Sequence, residues 1–397
     1  MLTVEQALSQ MLASADALAD VESIPTLQAC GRVLATNVVA AMQVPPMDNS
    51  QMDGYAVRSL DVPAAPTTLR VSQRIAAGHV GAPLEPGTAA RIFTGAPVPP
   101  GADAIVMQEA CVASGDKVTI NERPAAGAWV RRAGVDVEAG QTVLAAGTRL
   151  RPQDLGLAAS VGVGDLTVHR RLRVAVFFTG DELMMPGEPL PPGRIYNSNR
   201  FVLRGLLEKL GCEVLDLGIV PDDRQRTREA FASAAVGADL IITSGGVSVG
   251  EEDHIKPAVE AEGRLEMWQI AMKPGKPLAF GHVRDVPFIG LPGNPVSAMV
   301  TFMIMVRPFV QRLQGISDVT LRSYAVRADS DWQRPDVRAE FLRGRINGEG
   351  GVELYPNQGS GVVTSLCWGD GLVMNPPALA FKRGDIVRFV PFAELLS

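Results

Sequence analysis

Acids, lysines, glycines and hydroxyls gather at a few points along this 397-residue chain, in combinations suited to a phosphorylated ligand and a divalent cation. The densest is Thr243-Ser244-Gly245-Gly246-Val247-Ser248-Val249-Gly250-Glu251-Glu252-Asp253, which follows the short apolar run 238–242. Glycines let backbone N–H groups approach an anion closely, and hydroxyls add donors. Acids beside such a loop repel a bare phosphate, and fit if Mg²⁺ sits between. A second point is Lys273-Pro274-Gly275-Lys276-Pro277. The chain has 37 basic residues, yet only six are lysine, and Lys256, Lys273 and Lys276 fall close together. Lysine is a compact, mobile point charge suited to an oxyanion.

The elements that must position these residues read as alternating strands and helices from 173 onward. Strands are expected at 173–178, 213–219, 239–243, 265–271, 278–280 and 287–289, with helices at 198–210, 227–235, 255–262 and 295–313. Such alternation implies a mostly parallel sheet covered on both faces. Ligands of open α/β sheets bind beyond the carboxyl ends of the strands. Those ends carry Thr179-Gly180-Asp181-Glu182, Pro221-Asp222-Asp223, the 243–253 loop, the Lys-Pro-Gly-Lys segment and Leu291-Pro292-Gly293-Asn294-Pro295. Taken singly, each is an ordinary polar turn. Five together point to one shared site. Pro295 sits at the favoured first position of a helix, which makes the start of that helix either an anion site or simply a good helix start.

Before this region, Thr3 and Gln6 make a capping-box pattern ahead of an amphipathic helix. A second helical stretch is expected at 26–34 and a short one at 153–160. Between 44 and 144, short β-like runs (69–75, 91–94, 104–107, 117–120) alternate with Pro/Gly turns. After Gly315, strands at 323–328, 339–346, 352–355, 371–374 and 385–390 suggest a small barrel or sandwich. Several polar residues here read by themselves as ordinary surface: Asp53, Thr94, Arg131, Arg132, Asp136, Arg343, Arg345, Gln358, Gly359 and Ser360.

Composition narrows the function. A net charge of −6 gives no basic field for nucleic acid. The four cysteines, Cys30, Cys111, Cys212 and Cys367, form no CxxC pair and read as reduced, mostly buried thiols. No basic residue precedes Arg32, so no ordinary signal or transit peptide is expected, and the strongest apolar run, 299–306, is too short to span a bilayer. The default is a cytoplasmic protein. The P-loop, the dinucleotide fingerprint, a zinc pattern and the G-x-S-x-G elbow are all missing.

Taken in order, the motifs resemble the molybdopterin molybdenumtransferases, the MoeA and gephyrin E-domain family. The matching segments are Pro45-Pro46-Met47-Asp48-Asn49-Ser50 through Met52-Asp53-Gly54-Tyr55-Ala56-Val57, Arg91-Ile92-Phe93-Thr94-Gly95-Ala96, Thr179-Gly180-Asp181-Glu182-Leu183, Ser244-Gly245-Gly246-Val247-Ser248-Val249-Gly250, Lys273-Pro274-Gly275-Lys276-Pro277 and Gly290-Leu291-Pro292-Gly293-Asn294-Pro295-Val296-Ser297-Ala298. The resemblance implies a multidomain α/β plus β fold. An extended helical linker and dimerisation domain comes from 1–45 and 141–171. A β-rich domain spans 46–140, a three-layer α/β molybdopterin-binding domain 172–317, and a C-terminal β-barrel 318–397. It also implies a homodimer whose cleft is shared between the α/β and C-terminal domains of one subunit and the β-rich domain of the other.

The reaction implied consumes adenylylated molybdopterin and molybdate, cleaves the phosphoanhydride with Mg²⁺, inserts molybdenum and releases AMP. Carried over by motif, Asp53, Thr94, Glu182 and Asp253 are the catalytic candidates. Ser244, Gly245, Gly246, Ser248, Gly250, Lys273, Lys276, Pro292, Pro295, Arg343 and Ser360 would bind the pterin substrate. Glu182, Asp222, Asp223, Asp253 and Asp136 are the metal candidates. A molybdopterin adenylyltransferase and other molybdenum-cofactor proteins are the implied partners. Two readings compete: a non-catalytic molybdopterin-binding scaffold, and an adenylyltransferase suggested by the α/β region alone. Two departures stand out: Gln269 follows Trp268 where family members often carry lysine, and Phe178 stands where serine is common, which makes the pocket there more apolar.

Overall fold

The computed structural model describes residues 1–18, 20–247 and 254–396. A six-stranded sheet lies at its centre, in the order Glu213–Val220, Arg173–Thr179, Leu240–Ser244, Val286–Leu291, Pro277–Val283, Gly263–Gln269. Side chains alternate across a strand, so a strand covered on both faces must be apolar at every position. Residues 174–178 of Arg173–Thr179 meet this. Val174, Val176 and Phe178 enter one core, and Ala175 and Phe177 enter the core on the opposite face. Phe177, Phe231 and Phe288 stack edge-to-face in that second core, with ring centres 5.0 Å apart at both contacts.

The sheet is mixed, with five of its six strands running the same way, as a mostly parallel sheet requires. The first three pairings in this order are parallel and the last two are antiparallel. The reason is a tight hairpin at Arg284 and Asp285, which both adopt positive φ (47° and 68°), the geometry of a two-residue turn between antiparallel strands. Two reversals leave Gly263–Gln269 running the same way as the parallel strands. Its end, and with it the 270–276 loop, therefore still reaches the carboxyl edge.

The expected helices Ser198–Lys209, Arg224–Ala234 and Ile255–Glu262 are present. Asn197 and Asp223 cap the first two by accepting the N–H of Arg200 and Arg226. The helix from Pro295 to Leu313 is continuous but widens to π geometry over Phe302–Val306. By length and composition it could cross a membrane. Eighty-nine per cent of that apolar window is buried within the protein, as befits a core helix.

The chain start packs onto this same core. Val4–Ala13 carries the expected capping box between Thr3 and Gln6, and buries Val4, Ala7 and Met11. The second expected helix, 26–34, is not formed beyond the single turn Thr26–Gln28. Gly31 adopts φ 77°, and Val33 and Leu34 bridge to Arg149 and Val168 instead. The stretches before and after the β-rich segment are joined as ribbons: Val21–Pro25 pairs with Asp165–His169, and Val38–Val39 with Thr142–Leu144. Pro152–Ser160 is the helix of this region.

The β-rich segment forms its own six-stranded sheet, in the order Ala104–Met107, Gly54–Val57, Thr88–Ile92, Thr67–Ile75, Lys117–Ile120, Cys111–Ser114. The C-terminal strands form a partly closed barrel, in which the bridge between Ala328 and Val352 links the outermost strands. The strand Met272–Lys273 from the α/β region adds to its edge, parallel to Ala339–Ile346. Of the four cysteines only Cys212 is buried. Cys30 and Cys367 are exposed and Cys111 lies between, which corrects the expectation of mostly buried thiols.

Candidate functional site

All five polar strand ends meet at one cavity of about 650 Å³. Its walls include Thr179, Gly180 and Glu182 from the first strand end, and Asp222 from the second. Ser244, Gly245, Gly246 and Val247 come from the third, Pro277 from the Lys-Pro-Gly-Lys segment, and Pro292, Gly293, Asn294 and Pro295 from the last. Phe178 lines the wall while almost fully buried, so an apolar ring forms part of the pocket there.

Hydrogen bonds lock these ends together. Asn199, at the start of the Ser198–Lys209 helix, donates both amide protons, to Ser244 Oγ and to the Gly293 carbonyl, each at 2.8 Å. Ser244 Oγ in turn donates to the Pro292 carbonyl at 3.0 Å. The Ser244 hydroxyl, expected to touch a ligand, is thus spent on joining two walls. Gly245 needs its lack of side chain. It holds φ 98°, and a Cβ there would lie 2.3 Å from the Thr179 carbonyl oxygen. Asp181 and Asp222 each accept the other's backbone N–H, at 3.2 and 3.0 Å, which fixes Asp222 at the rim beside exposed Glu182.

Sequence reasoning missed Tyr196, Asn197 and Asn199, which line the cavity. The signal was there. Tyr196-Asn197-Ser198-Asn199 is a polar run opening a helix after a Pro/Gly-rich stretch. Thr179 Oγ1, Asn197 Nδ2 and Asn199 Oδ1 are buried at the wall without a partner among the described residues, the kind of unspent polarity that marks functional sites.

Other candidates fall elsewhere. Asp223 lies beside the site, but its carboxylate caps a helix and is committed there. Lys273 is not free for an oxyanion. Its Nζ lies 3.2 Å from Glu340 and 3.3 Å from Asp336 of the C-terminal region. Glu340 is fully buried and also accepts from Trp332 and Asn375. Arg338 beside Asp336 holds that carboxyl well below its usual range. Lys276 is exposed and remains available.

Arg343 was expected to grip an oxyanion, yet it is fully buried. Its guanidinium donates to Ser365 Oγ at 3.0 Å and to the Gly359 carbonyl at 3.1 Å. Burial pushes it down to about 10, still charged at neutral pH. It holds the loop whose Ser360 carbonyl accepts the N–H of Val296 at 3.0 Å, and whose Gly361 lines the cavity. One N–H at the start of the Pro295 helix is therefore already satisfied from the C-terminal region, which leaves less of that helix start for an anion.

Asp53, Thr94 and Asp136 are not among the cavity's lining residues. Asp53 and Thr94 do form a unit, since Asp53 Oδ1 accepts both the N–H and the hydroxyl of Thr94 at 2.8 Å. The Thr94 N–H foremost, then its hydroxyl, holds the Asp53 carboxyl below its usual range. Asp136 is exposed in a turn against Val44. Ser248, Gly250, Glu251, Glu252 and Asp253 lie outside the described residues.

Among the described residues no three acids, histidines or cysteines group as a metal site. Glu182 and Asp222 nevertheless face one cavity, and Mg²⁺ commonly takes one or two carboxylates, completing its shell with water and substrate phosphate. The donors fit that ion in kind.

Three family models cover the chain: the MoeA N-terminal region (domain I and II) over 2–162, a probable molybdopterin binding domain over 175–312, and the MoeA C-terminal region (domain IV) over 325–392. The chain belongs to the MoeA family. A molybdopterin molybdenumtransferase of Haemophilus influenzae is 41% identical over 408 residues, covering all of both chains. Molybdopterin molybdenumtransferase 2 of Mycobacterium tuberculosis is also 41% identical, over 84% of this chain and 85% of its own. The MoeA protein of Pyrococcus horikoshii OT3 superposes with a TM-score of 0.87 at 28% identity, covering 98% of this chain and 100% of that one. MoeA-type transferases serve molybdenum cofactor biosynthesis, and this chain is an enzyme of that class.

Proposed function

We propose that the chain transfers molybdenum from molybdate to adenylylated molybdopterin, with cleavage of the phosphoanhydride and release of AMP. The observation that carries this reading is the single cavity in which glycine-rich backbone and two carboxylates meet at the carboxyl edge of the sheet. Gly245 and Gly246 would admit the phosphate-bearing part of the substrate to close backbone approach. The apolar wall at Phe178 and the Pro292–Pro295 turn would hold its ring system. Lys276, and Lys273 if it exchanges Glu340 for substrate, would hold oxyanions. A magnesium ion held by Glu182 and Asp222 would neutralise charge on the phosphoanhydride as it breaks.

The division into domains 1–45 with 141–171, 46–140, 172–317 and 318–397, and assembly as a homodimer, belong to the same proposal. Asp53 and Thr94 flank strands of a different sheet from the one that forms the cavity. That separation supports their delivery from a second copy of the chain. We place the enzyme in the cytoplasm, receiving its substrate from a molybdopterin adenylyltransferase.

The test is turnover by purified protein with adenylylated molybdopterin, molybdate and Mg²⁺, read as AMP released and as activation of a molybdenum-requiring apoenzyme. Glu182→Gln and Asp222→Asn should each lower both signals by about a hundredfold or more. Undiminished turnover in both would sink the site. Consumption of ATP with free molybdopterin would mark an adenylyltransferase instead.

A further inference from the structure

On the β-rich sheet, beside Asp53, two arginines break the usual rules of charge pairing. Arg74 and Arg91 are direct neighbours on the parallel strands Thr67–Ile75 and Thr88–Ile92. Like charges placed side by side on a sheet are unfavourable. Among the described residues neither guanidinium has a carboxylate in salt-bridge contact. Both instead lie over the ring of Phe93, at 4.5 and 4.7 Å from its centre, and Arg91 also lies 5.2 Å from the centre of Tyr55.

These contacts hold the pair in place. Arg91 is fixed further by donating to the Gly54 carbonyl at 3.1 Å and to Gln108 Oε1 at 2.7 Å. Arg74 is exposed, and its N–H groups have no acceptor among the described residues. Asp53 directly precedes Gly54, and Thr94 directly follows Phe93, so the Asp53–Thr94 unit borders the pair. Asp53 Oδ1 is spent on Thr94, which leaves Oδ2 open.

A fold keeps such a local conflict where a ligand relieves it. Two guanidiniums side by side present a fan of donors that matches the oxygens of a tetrahedral dianion. We propose that Arg74 and Arg91 form a binding site for the phosphate of an organic phosphate, next to Asp53 and Thr94. Asp53 repels a small free oxyanion, but accepts a hydroxyl or N–H from the remainder of a larger ligand. That selects an organic phosphate over bare molybdate. The inference deepens the function proposed above and rests on it only for the choice of probes.

Hydrogen exchange of the full-length protein, read by mass spectrometry at peptides 49–57 and 88–95, tests the site without recourse to turnover. AMP should slow exchange there, and molybdate at equal concentration should not. Arg74→Gln should raise the AMP concentration needed for half-protection about tenfold, with the exchange of the unliganded protein unchanged. Arg91→Gln also loses the Gly54 and Gln108 bonds, so Arg74→Gln is the deciding variant. No protection by AMP, or the same concentration dependence in Arg74→Gln, overturns the proposal. So does protection by molybdate alone. A chain that is protected here yet inactive in turnover would sink the proposed reaction and leave this site standing.

Discussion

Asp53 and Thr94 are close in space but forty-one positions apart in sequence, and their bond sets how the acid titrates. The Asp53 carboxyl is held below its usual range, so its contribution to stability is present above the unfolded value. It is lost only as pH falls through the lower folded value. Thr94→Val removes the hydroxyl donor and keeps the backbone one. The Asp53 carboxyl should then shift part-way back toward its usual range in a carbon-13 titration; an unmoved titration would mean that the hydroxyl contributes nothing. Asp53→Ala should fold as the parent does, because the residue packs against no core, yet fail to support cofactor formation. At the cavity the expectation is structural. Gly245→Ala combines an unfavourable φ with a 2.3 Å approach to the Thr179 oxygen. It should cost about 2 kcal/mol or more in urea unfolding, and a loss under half a kilocalorie would show that the loop relaxes freely. Arg343→Met should cost a similar amount, about 2–4 kcal/mol, since it strands the Gly359 carbonyl and removes the donor to Ser365 Oγ.

The element most changed in meaning is the Lys-Pro-Gly-Lys segment. Its motif was legible as a cluster of charge at a strand end, and the direction of the preceding strand Gly263–Gln269 does bring it to that edge. What no spacing could disclose is that Met272–Lys273 leaves the α/β sheet to become an edge strand of the C-terminal barrel. Pairing partners far along the chain decide this, and they left no local trace. The same limit explains the 26–34 stretch, where apolar spacing suited a helix but bridges to Arg149 and Val168 won. Strand 173–178, by contrast, was readable at once, because its run 174–178 is apolar at every position and has few alternatives. The Lys273–Glu340 contact should hold the segment to the barrel. Glu340→Gln keeps the shape and removes the charge. It should loosen residues 270–276, seen as faster hydrogen exchange there, while the 173–179 strand stays protected. Equal exchange at 270–276 would show that backbone pairing alone suffices.

Seen whole, the chain divides its chemistry between two sheets, and this division limited what sequence could reveal of the site. Strand-end logic found the cavity, since the polar strand ends that line it follow strands of one sheet. It could not bring in Asp53 and Thr94, which pair with each other away from the cavity's lining residues. Mixing Asp53→Ala with Glu182→Gln and allowing subunits to exchange should restore roughly a quarter of parental turnover, because each mixed dimer regains one intact site. No recovery would place both residues in one subunit's site. The paired ribbons carry one more consequence, for the order of synthesis. The Thr26 hydroxyl bonds to the Val163 carbonyl, 137 residues downstream, and Val44 bridges to Val137. As the chain leaves the ribosome, residues 21–45 must wait, unpartnered, while the whole β-rich sheet is made and can fold ahead of them. A released fragment ending near residue 145 should therefore show a protease-resistant 46–140 segment joined to a leader still open to cleavage, with apolar surface that a chaperone could hold until its second half arrives.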